Sequence, residues 1–246
     1  MYKFNEPLIE GTIIKRNSQF TAEVSLDGEV ITVHVPNTGR IGDVNLKNIP
    51  CLLSYHDDKK RKLKYDIDAV LLSDDDNWVG INQILSNKLV EFFLKTNQLK
   101  EMINTSKKEI LREVKLGNSK LDFKIGKTYI EVKTPLMMVN VKYGKNIETK
   151  KPSNSSSTDR FEKHIKELTE ALNEEERAIL LFVYQYKITD NKPYQEDNHF
   201  KKVKKYVKDS INSGLEIWNL ELKFTPDGVY FHKLKETTDE VLELAE

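Results

Sequence analysis

Between Phe20 and Val35 the apolar residues of this chain recur at every second position and short strand-like runs continue to Ile81, whereas Leu85, Leu89, Phe92 and Phe93 recur at helical spacing. That change of period divides the chain into residues 1–82 and 83–246. In the first part Phe20, Ala22, Val24 and Leu26 alternate with polar residues as far as Asp27-Gly28, and Ile31, Val33 and Val35 then alternate again. This is a hairpin pattern around a two-residue turn. Further strand-like runs occupy 51–55, 65–72 and 78–81, the last preceded by a turn over 74–77. Roughly five or six strands with no helical stretch predict a small closed barrel, OB-like or SH3-like.

Beyond the change, Leu85, Leu89, Phe92 and Phe93 predict a helix running to about residue 102. Strands are expected at 110–115, 120–125 and 128–134, then a helix over 158–172. The nearly continuous apolar run 178–186 predicts a central strand. A helix over 197–212 ends at Gly214, and strands 215–224 and 228–233 turn around Pro226-Asp227-Gly228. The order implies a mixed sheet flanked by helices, so the whole reads as α+β. The polar segment KKPSNSSST at 150–158 is expected to form a loop near the site described next.

Residues 121–133, LDFKIGKTYIEVK, carry the clearest chemistry. As a hairpin turning at Gly126 and Lys127, they put Glu131 and Lys133 on one face and bring Asp122 beside Glu131, with Leu121, Phe123 and Ile125 in the core. Two carboxylates with an adjacent ammonium suit one or two Mg²⁺ or Mn²⁺ ions and phosphodiester hydrolysis. The spacing resembles the PD-(D/E)xK nuclease signature. A salt-bridged strand pair on a wet sheet face has the same residues.

Other candidates carry two readings each. Glu113 is a further ligand, or a surface acid paired with Lys115 or Arg112. Gln185, ending the central strand, contacts a phosphate, or is satisfied by backbone. His164, three residues after Phe161 and near Arg160, binds a phosphate or lies satisfied in the core. In HVPNTG, residues His34, Asn37, Thr38 and Gly39 form a phosphate nest or a plain turn. Lys59, Lys60, Arg61 and Lys62 beside Tyr65 are a nucleic-acid surface of the barrel or a solvated face.

With 39 basic and 39 acidic residues there is no global field to attract a polyanion. The distribution is uneven, however: residues 1–83 carry 10 basic and 13 acidic side chains, whereas 84–235 carry 29 and 21. A basic second part accommodates a phosphate-bearing partner. Cys51 is the only cysteine, which rules out an intramolecular disulfide and suits a buried thiol. No signal-like apolar core opens the chain and no run approaches transmembrane length, so a cytoplasmic protein with no membrane partner is expected.

HVPNTG, the KKRK run, Ile81-Asn82 followed by NKLVE, EVKLGNSKLDF, YIEVK and TDRFEKH stand together in an order that resembles the sugar fermentation stimulation protein A family over nearly the whole chain. The resemblance implies an OB-like nucleic-acid-binding barrel over 1–82 and a PD-(D/E)xK nuclease-like domain over 83–246. It implies metal and catalytic positions at Asp122, Glu131 and Lys133, and a barrel loop at His34, Asn37, Thr38 and Gly39. The expected function is binding of nucleic acid, DNA in the first place, with divalent-metal-dependent cleavage; the alternative is a DNA-binding regulator of sugar-utilisation genes that does not cleave. A homo-oligomer is compatible with either.

Overall fold

The computed structural model describes residues 1–37, 39–116, 119–150, 165–166, 168–169, 176–190 and 198–244. Seven strands come first: β1 (Tyr2–Lys3), β2 (Ile9–Arg16), β3 (Thr21–Leu26), β4 (Glu29–His34), β5 (Pro50–Tyr55), β6 (Tyr65–Leu71) and β7 (Trp78–Gly80). Helix α1 (Gln83–Lys95) follows, then β8 (Leu111–Leu116), β9 (Ser119–Ile125), β10 (Thr128–Lys133), β11 (Arg177–Tyr184), α2 (Asn198–Asn212), β12 (Leu215–Thr225), β13 (Gly228–Glu236) and α3 (Thr238–Leu244).

The hairpin expected at Asp27-Gly28 forms between β3 and β4, with φ of 50° and 85° at the two turn residues, the left-handed pair that a tight hairpin turn requires. Strands β2 to β6 pair in the order β4-β3-β2-β5-β6, and a parallel bridge between His34 and Asp66 closes them into a five-stranded barrel. Its interior holds Ile13, Val24, Val33, Cys51, Leu53 and Ile67. Burial there pushes the Cys51 thiol up to about 12, so it stays protonated and behaves as a small apolar side chain.

Strand β2 was not anticipated. Its alternation is broken by Gly11, which is needed because a Cβ there would stand 2.8 Å from a Val24 methyl.

The barrel does not end its sheet at β6. Strand β7 pairs with β6 on one side and with β12 on the other, so hydrogen bonding continues through β12, β11, β10 and β9 to β8. Within this second part β10, β11 and β12 run parallel and β9 and β8 antiparallel, the mixed sheet expected from the sequence. β11 is its central strand, fully buried along 178–181.

Leu52 and Leu53 point to opposite faces of β5 and both are buried, Leu53 inside the barrel and Leu52 in the core shared with α1. That shared core joins Leu89 and Phe93 of α1 to Trp78, Ile130, Ile179 and Leu220.

Helix α1 stops at Lys95, short of the expected residue 102. The Thr96 hydroxyl takes the Phe92 carbonyl at 2.8 Å, the Thr105 hydroxyl takes that of Leu94 at 2.5 Å, and Asn97 turns to φ 54°. Leu99, Met102 and Ile103 still enter the same core, which is why the apolar spacing outlasts the helix. Helix α3 lies beyond the last strand that the sequence predicts; Asp239 and Glu240 sit in its first turn, where the helix dipole favours negative charge. Most of the helix expected over 158–172, and Asp197 of the next, lie outside the described residues.

Gly80 has no room for a side chain, since a Cβ would meet Gln185 Cβ at 2.6 Å and Phe224 at 2.8 Å. Gly80→Ala is therefore expected to destabilise the fold by about 1–3 kcal/mol through overpacking, read as a lower urea midpoint at unchanged slope.

Candidate active site

The ladder between β9 and β10 runs from Thr128↔Ile125 to Ile130↔Phe123 and stops there, one step before Glu131 would face Asp122. On the same stretch Leu121 packs with Tyr129, whereas Phe123 and Ile125 pack with Ile130 and Val132, so the expected single apolar face of Leu121, Phe123 and Ile125 is split across two cores. Asp122 occupies the break. Its Oδ2 accepts the backbone amide of Val132 at 2.8 Å and its Oδ1 accepts the Asn87 side-chain amide of α1 at 2.7 Å. The carboxylate thus satisfies a strand amide that the ladder abandons.

Glu131 is 3% exposed, and Lys133 donates to its Oε1 at 2.5 Å. Burial, then the neighbouring Glu131 carboxylate, push the Asp122 carboxyl above the ordinary aspartate range, while the Val132 and Asn87 amides and Lys133 hold it back. The structure therefore gathers Asp122, Glu131 and Lys133 at one strand end, and Asn87 joins them, a residue the sequence reading passed over. Its signal was its place at the head of NKLVE, five residues after the Asn82 cap.

Gln185 lies nearby but is 0% exposed, so it is not a phosphate contact. Its amide donates to the Asn82 carbonyl at 2.9 Å and to Ser86 Oγ at 2.8 Å, and Ser86 Oγ is 2.7 Å from the hydroxyl of Thr134, which follows Lys133. Glu113 is not brought to the pair either. Its side chain is 69% exposed and stands 3.5 Å from Lys120, at a residue whose φ of 50° turns it off the strand.

In the barrel, Asp66 binds what the sequence had offered to nucleic acid. It accepts from His34 Nδ1 at 3.0 Å, lies 3.0 Å from His56 Nε2 and pairs with Arg61, leaving Lys59, Lys60 and Lys62 as the exposed part of the run. The expected nest at HVPNTG is also absent from the described residues: the Gly39 amide is taken by Asn37 Oδ1 at 2.8 Å, an Asx turn. Arg16, a residue the sequence reading missed, braces that turn by donating to the carbonyls of Asn37 and Gly39 at 2.7 and 3.1 Å. Thr38, Arg160 and His164 lie outside the described residues.

Residues 14–81 match the family model described as the SfsA N-terminal OB domain, and residues 84–228 match the one described as the sugar fermentation stimulation protein RE domain. The chain belongs to the sugar fermentation stimulation protein family. Similar relatives include the sugar fermentation stimulation protein homologs of Synechococcus sp. strain JA-2-3B'a(2-13), 30% identical over 93% of this chain and 92% of its own, and of Natranaerobius thermophilus, 29% identical over 99% and 100%. Among solved structures, that of Pyrococcus furiosus SfsA in complex with Ca²⁺ superposes with a TM-score of 0.74 at 20% identity, covering 95% of this chain and 97% of that one. That likeness establishes the shared fold. Among the described residues no helix is long and apolar enough to cross a membrane.

A carboxyl whose pKa is raised by folding binds its proton more tightly in the native state than in the unfolded one. Stability is then lost as pH rises from the unfolded value, about 4 for aspartate, through the raised native value. Urea midpoints of the metal-free protein should accordingly decline over that window. Asp122→Asn should remove this part of the decline, while its lost acceptor lowers the midpoint by a similar amount at every pH. Parallel pH profiles for the two proteins would contradict it.

Proposed function

We propose that this member of the family binds nucleic acid, DNA in the first place, and hydrolyses its phosphodiester bonds with a divalent cation, Mg²⁺ or Mn²⁺, held at Asp122 and Glu131. The observation that carries the reading is the acid pair itself, Glu131 buried and Asp122 half-buried at one strand end: a carboxyl pushed up by desolvation and by a second carboxylate costs stability, and a hard cation between the two offsets that cost.

The donor set fits. Both groups supply carboxylate oxygens, and among the described residues no third His, Cys, Asp or Glu completes a cage with them. Mg²⁺ is commonly held through one or two carboxylates while keeping several waters. The Ca²⁺ complex of the Pyrococcus furiosus relative supports a hard divalent ion in this fold.

Such an ion, when bound, supplies Lewis acidity toward a phosphoryl oxygen and a water of lowered pKa. The protein's part is positional. Asn87 and the Val132 amide fix the Asp122 carboxylate from two directions, so it needs no reorientation to act. Lys133, anchored at Glu131 Oε1, presents an ammonium that positions the attacking water and offsets charge developing on the phosphate. The Ser86–Thr134 contact steadies the chain just after Lys133. A DNA-binding regulator that does not cleave is the second reading; it needs only the fold and the exposed Lys59, Lys60 and Lys62.

Calorimetry decides between them. Wild type should bind Mg²⁺ or Mn²⁺, and Asp122→Ala or Glu131→Ala should abolish both that binding and any metal-dependent cleavage of DNA. Lys133→Ala should keep the metal and lower turnover by roughly 10²–10³, the scale for loss of one preorganised electrostatic partner. A wild type that takes up no metal, even with DNA present, would leave the regulator.

Binding should also weaken with salt, because lysines release counterions from phosphates. Lys59, Lys60 and Lys62 replaced together by Ala should lower affinity across sequences and flatten the salt slope. Arg61 is left in place because its loss would strand Asp66. An unchanged slope would remove this run from the interface.

A further inference from the structure

Between the barrel and the first turn of α1 lies a cavity of about 330 Å³, lined by Phe20, His34, Val35, Pro36, Asn37, Gln83 and Ile84. Small-molecule pockets run from about 300 to 1,000 Å³, so this one suits a single small ring system. Its walls are unusual for a surface of the chain. Phe20 is 45% exposed and Ile84 is 64% exposed, whereas among the described residues no lysine, arginine, aspartate or glutamate lines the space.

The polar groups that do line it are directional. Asn37 is 1% exposed, and its amide orientation is set because Oδ1 must accept the Gly39 amide. Its Nδ2 is buried and, among the described residues, has no hydrogen-bond partner. A buried donor left unpaired is costly enough that folded proteins seldom keep one without a use for it. His34 donates Nδ1–H to Asp66, so in the neutral ring Nε2 is the acceptor it can offer an occupant. Arg16 fixes both walls of the cavity at once, donating to Asn37 and Gly39 on one side and to the carbonyls of Ser18 and Gln19, next to Phe20, on the other.

We propose that this cavity is a nucleobase site, which takes one unstacked base of a single strand, with Phe20 against the ring face and Asn37 and His34 on the polar edge. A neutral heterocycle with donors and acceptors on its rim matches an apolar, uncharged cavity that holds one free donor and one acceptor. A phosphate matches less well, since no cation among the described residues lines the space and the Gly39 amide is already used. Stacking on an aromatic side chain is the sequence-tolerant way in which barrels of this kind hold single strands.

Position supports the same occupant. Ile84 at the cavity precedes Asn87 at Asp122 by three residues on α1, about 4.5 Å along the helix and on the same side. A strand with a base in the cavity would thus run toward the acid pair. The inference rests on the nucleic-acid reading above and adds the strandedness that reading leaves open.

The test compares full-length protein binding to a single-stranded DNA oligonucleotide and to an abasic strand with the same number of phosphates, at fixed salt and without divalent metal. Wild type should prefer the base-bearing strand by about fivefold or more, the lower end of what stacking contributes per base. Phe20→Leu, which keeps an apolar side chain at a half-exposed position, should reduce that preference toward unity, and Phe20→Trp should restore it. Asn37→Asp keeps the oxygen that holds Gly39 and loses the donor, and it should lower the preference; the carboxylate it buries lowers the thermal midpoint, so its circular dichroism is matched to wild type at the assay temperature. Photo-cross-linking of a 5-iodouracil strand should map to Phe20 or His34.

Equal affinity of wild type for both strands would overturn the base site and leave phosphate-based binding and cleavage standing. A preference that survives in the Phe20→Leu and Asn37→Asp proteins, or a cross-link at Tyr55 or Tyr65, would overturn it by placing the base elsewhere. Failure to bind either strand would overturn both the base site and the nucleic-acid reading beneath it.

Discussion

The buried carboxamide of Gln185 is the contact on which the rest of the arrangement depends. From the end of β11 it holds the carbonyl of Asn82 and the hydroxyl of Ser86, and through Ser86 it reaches Thr134 at the end of β10. Asn82 in turn caps α1 with its side-chain oxygen, accepting from the amides of Ile84 and Leu85, and donates its side-chain amide to Asp68 of the barrel at 2.6 Å. Barrel, helix and second sheet therefore meet in one polar cluster with little water to replace a lost partner. In such a place each hydrogen bond is strong and each broken one is expensive, so the helix start has little freedom to shift. Asn87, one turn later, inherits that rigidity and delivers it to Asp122.

Two aspartates show how the same group is turned to opposite ends. Asp66 is met by His34, His56 and Arg61 at the point where β4 and β6 close the barrel. Its charge is neutralised within the fold, and it acts as a lock. Asp122 is met by two neutral amides and shares its surroundings with a second carboxylate and one lysine. Charge is left over there, at a strand end where the ladder has already opened. That residual charge is a liability for stability and the basis of the site's proposed affinity for a cation.

A good part of this was legible from residues alone, for reasons that are local. Alternation along 20–35 specifies a hairpin because a strand turns successive side chains to opposite faces, and Asp27-Gly28 supplies the positive φ values that join its arms. Asp122, Glu131 and Lys133 were visible because a short hairpin leaves few ways to separate them. Less was legible where a partner comes from far along the chain. Helix α1 was drawn too long because Leu99 and Met102 keep the apolar spacing while two threonine hydroxyls end the helix. For Glu113, Gln185, Arg61 and the HVPNTG loop the residues alone leave a functional and a structural reading open, and only long-range partners show Gln185, Arg61 and Gly39 committed to neighbours and Glu113 beside Lys120.

The sequence by itself determined the change from barrel to mixed sheet, the central position of β11 and the residues of the acid pair, because periodicity and short turns act over a few residues. Only the tertiary structure decided which polar side chains are available. Asp66 is 32 residues from His34, and Gln185 is 99 from Ser86, so neither pairing leaves a mark in local pattern. A side chain's availability is what remains after every such long-range partner has been assigned, and by that measure Asn37 keeps its amide donor and Gln185 has committed its own.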